Sequence, residues 1–173
     1  MIHPAMFDLD RFKSAQAAAS DGFATALREL QEGRKRSHWI WYIFPQLAGL
    51  GHSPMAVRYG VQGVAEATAY LRDPVLRERL LVLTRTVASQ LERQPAPPLD
   101  QLMGSAIDAL KLVSSMTLFR EVARRLSSVE PLPDHTELAA NADAILGIAA
   151  GQGLAECAST IRMIRDERAL PQG

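Results

Sequence analysis

Gly33-Arg34-Lys35-Arg36-Ser37-His38-Trp39-Ile40-Trp41-Tyr42-Ile43-Phe44-Pro45-Gln46 joins three cations, a histidine and both tryptophans of the chain within fourteen residues. Its apolar half, Trp39 to Phe44, decides the fold class. A short continuous apolar run fits a buried strand or a buried helix equally well by period, and the helical patterns on either side favour helix. Trp39, Trp41, Tyr42 and Phe44 each bring roughly 150–250 Å² of surface if buried, so the run is expected to anchor the core. Arg34, Lys35, Arg36 and His38 stand at the rim of that anchor and offer donors to an anionic group.

On the N-terminal side, the spacing of Phe12, Ala15, Ala18 and Ala19 predicts a helix over 8–19, with Asp8 or Asp10 as cap, broken by Ser20-Asp21-Gly22. A second helix is predicted over 23–32, with Gly33 as the residue beyond its end. On the C-terminal side, Pro45 and the glycine-containing segment 47–51 read as a stop and a loop. Ser53-Pro54 and Asp73-Pro74 are cap-plus-proline start signals for helices at about 54–60 and 74–93, with a further helix at 63–71 between them. Gln94-Pro95-Ala96-Pro97-Pro98 forces an extended loop. A helix from about 105 to 126 follows, with Arg124-Arg125 as its solvated C-terminus. Two more are expected at about 135–149 and 154–167, and Pro171-Gln172-Gly173 is expected to fray. The expectation is a single compact all-α domain of about seven or eight helices over residues 1–173, with no confident strand.

Composition narrows the function classes. The 19 basic and 19 acidic side chains cancel, so no long-range field argues for nucleic acid or anionic membrane as the main partner. The single cysteine, Cys157, excludes an internal disulfide framework and fits a reducing cytoplasm; its Ala and Leu neighbours suggest buried filler. The N-terminal Met1 to Asp8 lacks a cationic region followed by an apolar one, so a soluble, unexported, cytoplasmic protein is expected. The histidines at 3, 38, 52 and 135 show no metal-ligand spacing, and no structural metal is expected.

Two groups could carry chemistry. The first is the basic, aromatic stretch, where Arg34, Lys35, Trp39, Trp41 and Gln46 are ligand-binding candidates and His38, with an unperturbed pKa of about 6.5, is a candidate for proton transfer. The second is Asp108-Ala109-Leu110-Lys111-Leu112-Val113-Ser114-Ser115-Met116-Thr117. At about 100° per residue, Asp108, Lys111 and Ser115 share one helix face within about 60°, whereas Ser114 and Thr117 point elsewhere and are expected to bond back to the preceding turn. The bland alternative for Asp108 and Lys111 is a surface i,i+3 salt bridge. Asp108 is the second candidate for proton transfer. No P-loop, Gly-x-Ser-x-Gly elbow, dinucleotide fingerprint or His-Glu-x-x-His motif is present.

Several blocks together carry a family resemblance. They are Phe7-Asp8-Leu9-Asp10-Arg11-Phe12 with Gln16, the Gly33 to Gln46 stretch, Gly49-Leu50-Gly51-His52-Ser53, Glu66-Ala67 with Tyr70-Leu71, and Lys111-Leu112 with Ser114-Ser115-Met116-Thr117-Leu118-Phe119. They resemble the bacterial family known as domain of unknown function 1810, some members of which are labelled calpastatin. The resemblance spans about 7–119 and implies a mainly helical single domain, without an established activity. Beyond about Leu126 the likeness weakens: where the family pattern has Gly-x-x-Asp-x-x-Thr, this chain has Gly153-Leu154-Ala155-Glu156-Cys157-Ala158-Ser159-Thr160, so a site lined by that element is altered here. Asp73-Pro74-Val75-Leu76-Arg77-Glu78-Arg79-Leu80-Leu81 is faintly similar to a segment of the helical NADAR family, which is linked to NAD and ADP-ribose metabolism.

The reading that joins these features is a domain binding an anionic, nucleotide-like small molecule between segments 34–46 and 108–117, with hydrolysis through His38 or Asp108 as an option that the sequence leaves open. Arg34, Lys35 and Lys111 would meet phosphate, and Trp39 or Trp41 would stack on a ring. The rival is a non-catalytic interaction module that dimerises or holds a partner through an apolar helix face. The sequence assigns no cofactor.

Overall fold

In the computed structural model, which describes residues 7–169, Asp73 accepts the N–H groups of Val75 and Leu76 at 3.0 Å, and Pro74 fills the first helical position. The cap-plus-proline signal therefore works as read. Ser53 does the same for its helix, accepting from Ala56 N at 3.1 Å, and Ser105 accepts from Asp108 N at 3.1 Å to start the longest one. The described residues form ten helices: α1 (Asp10–Gln16), α2 (Phe23–Gln31), α3 (Ile40–Ile43), α4 (Pro54–Tyr59), α5 (Gly63–Arg72), α6 (Pro74–Leu91), α7 (Leu99–Leu102), α8 (Ala106–Val129), α9 (Pro133–Gly151) and α10 (Ala158–Ala169). The protein is all-α. Within these residues the one β pairing is an isolated parallel bridge between Leu47 and Val61.

The helices share one core. α8 and α6 both pack along α9. Buried Leu112, Met116, Phe119, Val122 and Leu126 of α8 and Leu138, Ile145 and Leu146 of α9 supply the bulk, while Ala139, Ala142 and Ala149 let the helices approach closely. The short helices α1 to α5 wrap the N-terminal half of this frame. None of the helices is long and apolar enough to cross a membrane.

Several expectations are corrected. Ten helices replace seven or eight, partly because α7 forms one turn directly after the proline loop. α1 is shorter than 8–19, ending before Ser20-Asp21-Gly22. α8 runs on to Val129, so Arg124 and Arg125 lie inside the helix rather than at its solvated end. The reason is packing: Leu126 is buried, and Arg124 reaches Asp143 of α9 at 2.9 Å, which keeps the last turn wound. α9 runs through Gly147 as far as Gly151 because its buried face continues to Ala149. The readings made on Met1 to Met6, including His3, and on Pro171-Gln172-Gly173 lie outside the described residues.

One close approach positions the site. Lys35 N donates to Leu102 O at 2.8 Å, which brings the α7–α8 turn against the 34–36 backbone. Gly104 in that turn has φ +80°, and a Cβ there would stand 2.7 Å from the Lys35 carbonyl oxygen. Gly104→Ala should therefore cost about 2 kcal/mol from left-handed backbone and the collision together. Gly147→Ala, in a helix interior where a Cβ meets nothing within 4 Å, should stabilise by about 0.5–1 kcal/mol. Urea midpoints of the two variants, with unchanged slopes, check both signs.

Candidate functional site

The site begins with a carboxylate that the sequence did not advertise. α2 carries Glu29 into the core, 2% exposed, where it meets the bend from Arg36 to Trp39. Arg36 N donates to it at 2.7 Å, Ser37 N at 2.6 Å, and the Trp39 indole Nε1 at 2.9 Å. Burial, the largest influence, pushes its pKa up, but hydrogen bonds from Trp39, Arg36 and Ser37 together outweigh it and hold the carboxyl below the usual range. One buried carboxylate thus fixes the turn that presents the basic stretch.

That turn sends Lys35 inward. Its ammonium, 7% exposed, lies 2.8 Å from Asp108 Oδ2, donates to the Ser37 carbonyl, and stands 4.9 Å from the centre of the Trp39 ring. Asp108 sits in the first turn of α8, where the helix dipole favours a negative charge. Lys111, one turn on, places its ammonium 3.6 Å from Asp108 Oδ1 and 4.9 Å from the centre of the Trp41 ring. The two segments singled out in the sequence therefore meet, and two lysines flank one carboxylate, each over a tryptophan face. The i,i+3 pair is not a free surface bridge, since Asp108 is engaged more closely by Lys35.

The remaining candidates divide. Trp39 is fully buried and its N–H is taken by Glu29, so it serves the core and has no face open to a ligand. Trp41 is half-buried, and its Nε1 is buried without an acceptor. Trp41, Lys111, Gln46 and Tyr59 line a recess of about 10 Å³. Ser115 is fully buried one turn beyond Lys111, and its hydroxyl has no partner among the described residues. Thr117 bonds back to Val113 O at 2.8 Å, as expected of it. Arg34 and His38 are exposed, and no hydrogen bond joins His38 to Asp108 among the described residues.

Other residues of the resembling blocks prove to be structural. Arg11 forks onto buried Glu66 at 2.5 and 3.1 Å and donates to the carbonyls of Arg58 and Gly60 at 2.9 and 3.0 Å, pinning the start of α5. Gln16 donates to Tyr42 O at 2.8 Å and to the Tyr70 hydroxyl at 3.1 Å, tying α1 to α3 and α5. Cys157, expected as buried filler, is half-buried just before α10. Burial raises its pKa, but the polar groups of Ser114, Ser159 and Thr160 around the thiol bring it below its ordinary value.

Residues 6–134 match the family described as protein of unknown function, DUF1810. The chain belongs to the DUF1810 family. The DUF1810 match takes in the whole lysine–aspartate cluster and ends in the first turn of α9, leaving most of α9 and all of α10 outside it. The fold is similar to the crystal structure of the conserved hypothetical protein Rv1873 from Mycobacterium tuberculosis, with a TM-score of 0.71 and 37% identity over 92% of this chain and 97% of that one. No curated protein matches.

Glu29→Gln should test the turn. The exchange replaces one acceptor with an amide that faces donors, and it should cost about 2–3 kcal/mol near neutral pH. Because the folded-state pKa is lowered, the wild-type advantage is complete above the unfolded value of about 4.3 and shrinks as the pH falls through the lower folded value. Urea unfolding of both proteins from pH 7 down to pH 3 checks the size and the convergence.

Proposed function

We propose that the protein binds a small anionic, nucleotide-like molecule where the 34–46 segment meets the first turns of α8. The observation that carries this reading is the pairing of Lys111 with Trp41: both side chains line the same recess, beside Gln46, and the Trp41 indole N–H is buried with no acceptor among the described residues. Unpartnered buried donors call for an acceptor, and a cation beside them favours an anionic one. The recess takes one oxygen of the anionic group and the rest of the ligand lies over its mouth; Arg34, exposed on the same 34–46 segment, is proposed as a second cation for it. Lys35 and Asp108 position Lys111. Hydrolysis through His38 or Asp108 is the finer part of the proposal. Binding has the stronger support, because Asp108 is engaged by two ammonium groups and the exposed His38 does not meet it.

A second reading rests on a separate observation. Leu110, 52% exposed on α8, lines a cleft of about 470 Å³ with Leu99, Ala109 and Leu154, and Ile107 of the same helix is 67% exposed. Such a face fits a second copy of the chain, and a protein that sediments as a monomer at every concentration contradicts it.

Thermal-shift titrations with ATP, NAD, ADP-ribose and a sugar phosphate test the leading reading. A ligand at about 100 times its Kd stabilises the folded state by about 2.7 kcal/mol, a rise of several degrees. The rise should be lost in Lys111→Ala and reduced in Arg34→Ala. No response to any of these anions overturns the proposal.

A further inference from the structure

A second cationic site lies at the other end of α8. In α10, Ile161, Ile164, Arg165 and Arg168 follow one another at spacings that place all four on one stripe. This stripe, with Arg120 and Glu121 of α8, encloses a cleft of about 210 Å³. Two of the lining charges are already committed. Arg120 is held bidentately by Glu156, with Nη2 to Oε2 at 2.9 Å, and by Asp143 at 3.6 Å. Glu121 lies 3.2 Å from Arg120 and 3.3 Å from Arg124.

What remains is cationic. Arg165 and Arg168 form no ion pair among the described residues. Arg125, one turn along α8 from Glu121, stands beside the cleft near Arg168 rather than in its lining, and it buries Nε and Nη2 with no acceptor for either among the described residues. Its burial, and next the nearby Arg168, disfavour its charged form, while Glu121 and Glu167 offset part of this. On α10 itself, Asp166 points about 100° away from Arg165, and the Glu167 carboxylate accepts from Val64 N at 2.9 Å. A guanidinium with two buried, unpartnered nitrogens beside further guanidiniums is a costly arrangement that an oxyanion would relieve.

We infer that this cleft binds the phosphate group of a small molecule, held by Arg165 and Arg168 of its lining and by Arg125 from beside it, with Ile161 and Ile164 as its apolar floor. Phosphate fits better than carboxylate for two reasons. Its tetrahedral oxygens can meet guanidinium forks from two helices at once, and its double charge answers three cations. The site lies away from Lys111, so it does not depend on the function proposed above.

Isothermal titration with inorganic phosphate tests it, with acetate and chloride at matched ionic strength as controls. The expected result is saturable phosphate binding with little acetate binding. Arg165→Ala and Arg168→Ala, both at exposed positions that spare the fold, should each raise Kd about tenfold, and Lys111→Ala should leave it unchanged. Arg125→Met should abolish binding yet raise Tm in phosphate-free buffer, because it removes an unpaired buried cation. Equal binding of acetate or chloride, a phosphate affinity unchanged in both exposed arginine variants, or an Arg125→Met protein that still binds phosphate overturns the inference.

Discussion

The Glu29 carboxylate is the constraint on which the arrangement depends. A bend of backbone between α2 and α3 has N–H groups that no helix satisfies, and buried unpartnered N–H groups are costly. Glu29 accepts two of them and the Trp39 indole as well. The consequence is directional: with the bend fixed and Trp39 sealed in the core, Lys35 points inward and Arg34 and Arg36 point out. A carboxylate in the core thereby decides which cation of the basic triplet reaches α8.

The α8 side meets this bend half-way. Gly104 allows the turn before α8 to press against the Lys35 carbonyl, Ser105 caps the helix, and Asp108 then stands where Lys35 arrives. Lys111 is held by the same carboxylate and by Trp41. The pair of lysines is thus preorganised by neighbours whose other roles are structural, as a binding site requires. Further out, Arg11 with Glu66 and Gln16 with Tyr42 and Tyr70 fix α1, α3 and α5 around it.

Much of this was legible in the sequence, for physical reasons. Ser53-Pro54, Asp73-Pro74 and Gly33 are local signals whose hydrogen bonds close within a few residues, and they act as read. The shared face of Asp108 and Lys111 followed from helical period alone. The run at 40–43 is indeed helical, although only one turn of it forms. The partners of those residues were not legible, because they are far apart in the chain. Nothing local marks Glu29 as the acceptor for a bend that begins seven residues later, or Lys35 as the partner of Asp108. Trp39 and Trp41 look alike in sequence, yet one is sealed by Glu29 and the other keeps a free N–H. The end of α8 was misplaced because Arg124 looked like a helix terminus, when Asp143 of α9 was its partner.

The central claim is that the 34–46 segment and α8 form one electrostatically linked unit. A double-mutant cycle on Lys35→Met and Asp108→Asn, read by urea unfolding, tests it most directly. Both groups are largely buried and 2.8 Å apart, so removing either alone should be costly and removing both should recover much of the loss. The account predicts a coupling energy of about 2 kcal/mol or more. Additive effects, within about 0.5 kcal/mol, would contradict it.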